Sequence, residues 1–279
     1  MTDIGVLLRL GRVSNLPTVW TNLLAGMAVT GAVAPGALAL LVPAASLFYV
    51  AGMFLNDAFD REIDAVERPE RPIPSGQVEA RAVFVAAAAM MAAGLALVAP
   101  LGLPPLAAAA ALCAAIVYYD ADHKGNPASP LVMGGCRALV YVLAAHAVGG
   151  AGTAWMLPSL ALLAYVAGLT YAARQENLAR FTNAWPLAML AVPVAVLLSR
   201  LSLEAVPFVL LFLAWTAHGL RLILSPAVRD IRRAVGTLIA GISLLDAALI
   251  ATAGAPLAGT AAVAAFGLTL ALHRKVAGT

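Results

Sequence analysis

Charged residues are scarce in this sequence: they make up 11% of its 279 residues, while hydrophobic residues make up 62%. An ordinary soluble domain is about 25% charged and about 45–50% apolar. This composition, with a mean hydropathy of +0.92, excludes a soluble globular protein and indicates an integral membrane protein. The formal net charge of +3 is too small to argue for nucleic acid as a partner, and we predict none.

Cysteine and aromatic residues are also few. Cys113 and Cys136 lie in or beside apolar segments and show no metal-ligand spacing, so we expect both to be inert buried thiols. Aromatic residues make up 6% of the chain, while alanine is abundant, which suits closely packed transmembrane helices. Nothing at the N-terminus resembles a cleaved signal peptide, because many apolar spans follow the first one.

Ten apolar stretches approach the length of about 20 residues that a membrane span needs. Pro, Gly and charged residues separate them, and no linker is long enough to divide the chain. We therefore predict an all-α protein, a polytopic transmembrane bundle of nine to ten helices around a central cavity, forming a single domain over 1–279. The predicted spans are 13–34, 37–57, 80–99, 103–120, 130–149, 155–173, 184–200, 203–224, 233–253 and 256–273.

The Lys and Arg residues are distributed asymmetrically among the loops. If the N-terminus is cytoplasmic, sixteen of the seventeen lie on the cytoplasmic side, and only Arg200 lies on the other. We therefore expect both termini and the polar loops to be cytoplasmic, in the inner (cell) membrane of a bacterium. The basic run at 229–233 is expected to lie against anionic headgroups, so membrane lipid is a predicted partner.

The most informative polar segment is 56–64, which follows directly on an apolar run. Asn56, Asp60 and Asp64 are spaced i, i+4, i+8, so on a helix they share one face, and Asp57 lies close beside that face. Clustered carboxylate and amide oxygens suit a hard cation such as Mg²⁺. A solvated loop explains any single Asp equally well, but a simple connector does not require this regular row.

The segment N-D-x-x-D-x-x-x-D at 56–64 is followed by R-P-x-x-S-G at 71–76. Together the two strings resemble the first signature of the UbiA superfamily of membrane prenyltransferases. The resemblance implies Mg²⁺ as cofactor, a prenyl diphosphate as substrate, and transfer of its isoprenyl group to a small acceptor that the sequence does not identify.

Two later segments extend the resemblance. Near the loop at 118–126 the family has a Tyr and a Lys close to the diphosphate, and Tyr119 and Lys124 are the nearest equivalents, one residue further apart than usual. The string M-G-x-C-R at 133–137 is most similar to the EboC-type branch. It places Arg137 just inside the next helix, where a charge can also simply extend to the membrane surface.

A third segment departs from the family pattern. Where the family has a second motif, D-x-x-x-D, the stretch 170–180 contains only Glu176 as an acid, flanked by Arg174 and Arg180. Three alternatives follow: Glu176 with Asn177 holds an ion, Arg174 contacts phosphate in place of a metal, or the segment is a charged helix cap.

Other polar residues lie within predicted spans. Asn15, Thr18 and Asn22 form a stripe on the first span that either joins helices by hydrogen bonds or lines a substrate cavity. Asp246 lies deep in the ninth span, where a carboxylate is functional or paired, and a hydrogen bond to a neighbouring helix would suffice.

These inferences define a candidate site in three groups. The predicted catalytic residues are Asn56, Asp60, Asp64, Arg71 and Lys124. The predicted substrate-binding residues are Asn15, Asn22, Arg68, Tyr119, Arg137, Arg174 and Glu176. The predicted metal ligands are Asn56, Asp57, Asp60, Asp64 and Glu176. The carboxylates available to deprotonate an acceptor are Asp120, Asp122 and Glu176.

The sequence bears on three alternative functions. A CDP-alcohol phosphotransferase requires D-G-x-x-A-R, but Asp57 is followed by Ala58 and the string is absent. A carrier of a lipid-like metabolite on the same bundle is favoured by the departure at 170–180 and opposed by the intact first motif. A UbiA-type terpene cyclase would keep the chemistry and dispense with the acceptor.

Overall fold

The computed structural model of the chain describes residues 4–150, 152–175, 183–225 and 227–276. In these ranges the regular elements are helices, and no strand is present. The α-helices are α1 (Ile4–Leu10), α2 (Leu16–Ala28), α3 (Pro35–Phe59), α4 (Arg61–Glu67), α5 (Ala80–Val98), α6 (Leu103–Asp122), α7 (Ser129–Ala147), α8 (Met156–Ala173), α9 (Ala191–Ser199), α10 (Val206–Leu224), α11 (Ile231–Thr252) and α12 (Pro256–His273). Short 3-10 turns lie at Val13–Asn15, Ala99–Leu101, Trp185–Leu190 and Leu203–Ala205.

Eight helices in the described ranges, some with an adjoining 3-10 turn, are long and apolar enough to cross a membrane: α3, α5, α6, α7, α8, α10, α11 and α12. This confirms a polytopic helical membrane protein, and the predicted count of nine to ten is approximate because two predicted spans are short. The span predicted over 13–34 contains the 3-10 turn Val13–Asn15 and the 13-residue α2 in place of one full-length helix, since the chain turns at Gly31, which has a φ of +84°. The span predicted over 184–200 divides into a 3-10 turn and the nine-residue α9. Pro193 contributes to this division because it lacks the N–H that a continuous α-helix would use.

Helix α11 lies at the centre of the bundle. It contacts α2, α8, α10 and α12, and its buried residues are found on all sides of the helix. Such a helix is expected to be apolar around its whole circumference, and α11 is apolar apart from a few polar residues. One of them is the carboxylate of Asp246, which is fully buried.

Small residues allow neighbouring helices to approach closely. At Gly26 on α2, an added Cβ atom would lie 2.8 Å from the Cα and the carbonyl oxygen of Tyr141 on α7. At Gly134 on α7, an added Cβ would collide with the carbonyl oxygen of Leu163 on α8. Backbone atoms cannot rotate aside as a flexible side chain can, so both contacts depend on glycine.

Replacing Gly26 tests this packing. We expect Gly26→Ala to destabilise the protein by about 1–3 kcal/mol, the usual cost of overpacking. The control is Gly236→Ala on α11, where an added Cβ would meet nothing within 4 Å; alanine there favours the helix by about 0.5–1 kcal/mol. Thermal unfolding in detergent measures both, and equal midpoints for the two variants would contradict the close contact.

The polar segments of the chain meet at one end of the bundle. Helix α3 ends at Phe59, Asp60 forms the joint, and α4 follows at once. Helices α6 and α7 are joined by the loop 123–128, which lies at the same end because its first residues, His123 and Lys124, are within 4 Å of Asp60. The first motif and the α6–α7 loop are therefore neighbours.

Candidate active site

A cavity of about 820 Å³ opens at this end of the bundle and extends between the helices. Charged side chains of the N-terminal segment, of 56–71 and of the α6–α7 loop line its mouth. Further along the helices its wall is apolar, with Phe48, Leu112 and Val166 among the lining residues. The cavity therefore matches a ligand that has an anionic head and a hydrocarbon tail.

Four polar side chains of the first motif, here called the Asn/Asp row (Asn56, Asp57, Asp60 and Asp64), line one wall of the cavity. Hydrogen bonds from the Asp60 N–H to the Asn56 carbonyl (3.0 Å) and from the Asp64 N–H to the Asp60 carbonyl (2.8 Å) continue the helical path across the α3–α4 joint. The i, i+4, i+8 spacing consequently keeps Asn56, Asp60 and Asp64 on one side, as predicted. The carboxylates of Asp57, Asp60 and Asp64 are all buried.

Arg71 bridges two of these carboxylates. Its Nη1 donates to Asp64 Oδ2 at 2.6 Å and to Asp57 Oδ1 at 3.3 Å. The R-P-x-x-S-G string folds into a turn around this arginine, because the backbone N–H and the hydroxyl of Ser75 both donate to its carbonyl oxygen, at 3.0 and 2.6 Å. Gly76 has a φ of +75°, which glycine adopts without strain. The string thus fixes a cation against the Asn/Asp row.

Arg12 supplies a second cation to the row. Its Nη2 lies 3.0 Å from Asp57 Oδ1 and 3.4 Å from Asn56 Oδ1. The residue joins α1 to the Val13–Asn15 turn with a φ of +41°, in the left-handed region that residues other than glycine seldom adopt. Such strain persists where surrounding contacts determine the conformation, and it is concentrated at functional sites.

Asp60 is paired from the opposite side by the α6–α7 loop. Its Oδ2 lies 3.4 Å from His123 Nε2 and 3.5 Å from Lys124 Nζ. Burial raises the pKa of the Asp60 carboxyl, but His123 and Lys124 outweigh burial, so the pKa is lowered from its usual value. Tyr119 stacks on the His123 ring with 5.0 Å between the centroids, which holds the histidine in place.

The lowered pKa of Asp60 predicts a pH dependence of stability. A carboxyl with a lower pKa in the folded state stabilises the fold above its unfolded pKa of about 4, and this contribution is lost as the pH falls through the folded-state value. We expect the thermal midpoint to fall as the pH drops below about 5 and on through the lowered folded-state pKa, and to fall less steeply in Asp60→Asn. Glu62→Gln is the control, because the Glu62 side chain is 82% exposed. Parallel profiles for Asp60→Asn and the unmodified protein would refute the assignment.

The oxygen donors at the mouth fit magnesium in kind, since Mg²⁺ prefers carboxylate and amide oxygens. Asp120 lies beside the Asn/Asp row: its Oδ1 accepts from Asn56 Nδ2 at 3.3 Å, and its Oδ2 is buried without a hydrogen-bond partner among the described residues. Across the described ranges, no three His, Cys, Asp or Glu side chains are already grouped to hold an ion. Carboxylates of the row are instead paired with Arg and Lys, so a bound ion would replace some of these pairs.

Four of the other predicted substrate-binding residues also line the cavity, namely Asn15, Arg68, Tyr119 and Arg137. Asn15 also bridges helices, since its Nδ2 donates to the Tyr49 hydroxyl at 3.2 Å and its Oδ1 lies 2.7 Å from His273 Nε2. The polar stripe that begins at Asn15 therefore both joins helices and reaches the cavity.

Two predicted residues lie elsewhere. Asn22 is fully buried behind the cavity wall, between Arg137 and Asp246. Arg174 supports the α6–α7 loop by donating to the carbonyl oxygens of Asn126 (2.9 Å) and Lys124 (3.4 Å), so a direct contact with phosphate stays a prediction. Glu176 lies outside the described residues.

The structure adds two site residues that were not predicted from the sequence, Arg12 and His123, and it places Asp120, predicted only as a possible base, beside the Asn/Asp row. The sequence contains a pattern that could have indicated Arg12: it precedes Asn15 by three residues and so extends the polar stripe of the first span. No such pattern indicates His123, because its contact with Asp60 depends on how α6 packs against α3.

The bundle and its cavity define a class: intramembrane proteins with a charged, carboxylate-containing mouth above an apolar interior. Within that class the sequence identifies the family. Residues 14–228 match the model of the UbiA prenyltransferase family. This match covers well over half of the chain, so the protein belongs to that family.

Curated relatives include two digeranylgeranylglyceryl phosphate synthases. The chain is 37% identical over 123 residues to the one from Methanothrix thermoacetophila and 41% identical over 112 residues to the one from Ignicoccus hospitalis. These alignments cover 43% and 40% of this chain, and 46% and 36% of the relatives. The chain thus matches less than half the length of each.

Solved structures support the fold. The apo structure of a UbiA homologue from Aeropyrum pernix K1 superposes with a TM-score of 0.70 at 20% identity, covering 86% of this chain and 97% of that one. A structure from work on digeranylgeranylglyceryl phosphate synthase in membranes superposes with a TM-score of 0.66 at 18% identity, covering 91% and 99%.

Proposed function

We propose that the protein is an intramembrane prenyltransferase that moves an isoprenyl group from a prenyl diphosphate to a small acceptor. The single observation that carries this proposal is the cavity, in which buried carboxylates and several cations form the mouth of an apolar interior. Family membership and the curated relatives support the same activity.

The cations at the mouth are the groups that would bind the diphosphate. Arg12, Arg71 and Lys124 already lie against the Asn/Asp row, and Arg68 lines the same mouth. Breaking the C1–O bond of the substrate adds negative charge to the leaving diphosphate. Fixed cations favour this step most, because they interact more strongly with the developing charge than with the ground state.

Magnesium is the cofactor that we propose for this site. Asn56, Asp60 and Asp64, with Asp57 beside them, would hold it, and it would supply Lewis-acid polarisation of the bond to the leaving group. The Arg and Lys side chains compensate these carboxylates, and with an ion held by the carboxylates the same cations would be available to the phosphate oxygens.

The apolar part of the cavity would hold the isoprenyl chain. Its wall residues, such as Phe48, Ile116 and Val166, offer no hydrogen bonds to water, so the allylic cation formed at C1 is protected from hydrolysis. The acceptor would then attack C1. The name of the curated relatives makes geranylgeranyl diphosphate a sensible donor to include in any assay.

The orientation in the membrane is also part of the proposal: the mouth faces the cytoplasm of a bacterial cell, with both termini on that side. We expect a cysteine at Ser75, exposed beside the mouth, to resist a membrane-impermeant thiol reagent added to intact cells. A cysteine at Ser202, exposed in the turn between α9 and α10, should react. Both native cysteines are buried, and the reverse labelling pattern would overturn the orientation.

The activity is tested by release of inorganic diphosphate from geranyl, farnesyl and geranylgeranyl diphosphates, with Mg²⁺ and with a chelator. We expect metal-dependent release from the purified protein and a loss of at least about 100-fold in Asp60→Ala, comparable with the loss of a main transition-state contact. Glu62→Ala is the matched control on α4, since its side chain points to solvent. Glu176→Ala is expected to impair turnover less than Asp60→Ala.

Two results would contradict the proposal in different ways. Tight Mg²⁺-dependent binding that Asp60→Ala abolishes, without release in the presence of candidate acceptors, would favour a carrier of a lipid-like metabolite. Near-unchanged binding in Asp60→Ala would mean that the Asn/Asp row is not the diphosphate site.

A further inference from the structure

A buried carboxylate at the centre of the bundle is not used by the mechanism above. Asp246 on α11 is completely buried, and it accepts hydrogen bonds from Thr21 and Asn22 on α2 and from Tyr141 on α7. Three helices therefore meet at one carboxylate. The sequence left open whether this carboxylate is functional or paired, and the structure pairs it with side chains of two neighbouring helices.

The hydrogen-bond network continues from this carboxylate to the cavity. Asn22 Nδ2 donates to Asp246 at 2.8 Å, and Asn22 Oδ1 accepts from Arg137 Nη1 at 2.9 Å. Arg137 lines the cavity, with its guanidinium carbon 5.6 Å from the centroid of the Tyr49 ring. A carboxylate, an amide and a guanidinium thus form one chain that ends at the cavity wall.

Joining helices does not by itself explain this chain. Charged groups inside a membrane protein are costly, and neutral Asn, Ser or Thr side chains suffice to connect helices. A guanidinium has five N–H donors, and Asn22 is the one hydrogen-bond acceptor that the described part of the molecule offers to Arg137. No hydrogen bond from its remaining donors is found among the described residues, and Arg137 lines the cavity together with Val140 and Ile242.

Arg137 is also distinct from the cations that would bind the diphosphate. Arg12 and Arg71 are ion-paired to the Asn/Asp row, whereas Arg137 has no ion pair within 4 Å among the described residues. The Tyr49 ring lies against Arg137 on one side, and the Tyr49 hydroxyl contacts the Arg12 carbonyl at 3.5 Å. A second anion-binding position is therefore available next to the first.

We propose that Arg137 binds an oxyanion, phosphate or carboxylate, on the acceptor, and that Asn22 and Asp246 are positioning residues that hold its guanidinium toward the cavity. The inference rests on the proposed function and deepens it by naming the chemical class of the acceptor. An acceptor anchored in this way by its anionic group keeps its nucleophile free to reach C1 of the donor.

The test compares amphiphiles that differ in the charged group. The probes are 1-oleoylglycerol phosphate, oleate and neutral 1-oleoylglycerol, measured by binding to detergent-solubilised protein loaded with Mg²⁺ and the slowly ionising analogue S-farnesyl thiodiphosphate. Loading fills the mouth, so that any preference for an anion reports a second position. We expect at least one of the two anions to bind about 10-fold or more tightly than 1-oleoylglycerol, and the stronger anion identifies phosphate or carboxylate.

The variants separate positioning from stability. Arg137→Gln should lose the preference for the anion while keeping the affinity for S-farnesyl thiodiphosphate, and Arg137→Lys should keep part of the preference. Asp246→Asn should weaken the preference without abolishing it. Thr269→Val is the control, because it removes a fully buried hydroxyl that donates within its own helix, α12, to the carbonyl oxygen of Ala265, and it leaves the three-residue chain intact.

Each outcome decides the proposal. An unchanged preference in Arg137→Gln overturns it, and an unchanged preference in Asp246→Asn overturns the positioning role. Failure of the unmodified protein to bind S-farnesyl thiodiphosphate would instead contradict the proposed function. Anion binding would then be compared between the unmodified protein and Arg137→Gln without the donor. A preference for the anion that Arg137→Gln loses still supports this inference, and a preference that it keeps overturns it.

Discussion

Compensation of buried carboxylates by fixed cations is the constraint on which the rest of the structure depends. Three Asp side chains lie at the end of a membrane bundle, and an ion left there without a partner would cost several kcal/mol. Arg71 reaches the Asn/Asp row from the turn after α4, Arg12 from the N-terminal segment, and Lys124 from the α6–α7 loop. The positions of three chain segments are therefore determined by one set of charges.

The buried carboxylate at the centre of the bundle also needs compensation, but there hydrogen-bond donors provide it in place of directly paired cations. Asp246 obtains three hydrogen-bond donors from α2 and α7, and Arg137 is connected to it through Asn22. At the mouth the cations contact the carboxylates directly, and a ligand has to compete for them. In the centre an amide separates the two charges, which leaves most of the guanidinium donors available to a ligand.

Much of the architecture and part of the site follow from the sequence. Long apolar stretches predict the eight full-length helices, and the i, i+4, i+8 spacing predicts the shared wall of Asn56, Asp60 and Asp64 because both depend on local geometry. The ion pairs of Arg12 and His123 could not be predicted in the same way. They join residues 45 and 63 positions apart, and only the packing of α1, α3 and α6 brings them together. The short first span depends on a single turn at Gly31, whose φ no hydropathy pattern reveals.

Arg174 gives the segment 170–180, which departs from the family pattern, a structural role. The family pattern places two acids in this stretch, and the described part of this chain has none there. An arginine instead holds the carbonyl oxygens of Asn126 and Lys124, and so fixes the loop that carries His123 and Lys124 to Asp60. Arg174 is not part of the cavity lining, so its effect on the site is indirect: an α6–α7 loop without its support would leave Asp60 with less compensation for its burial.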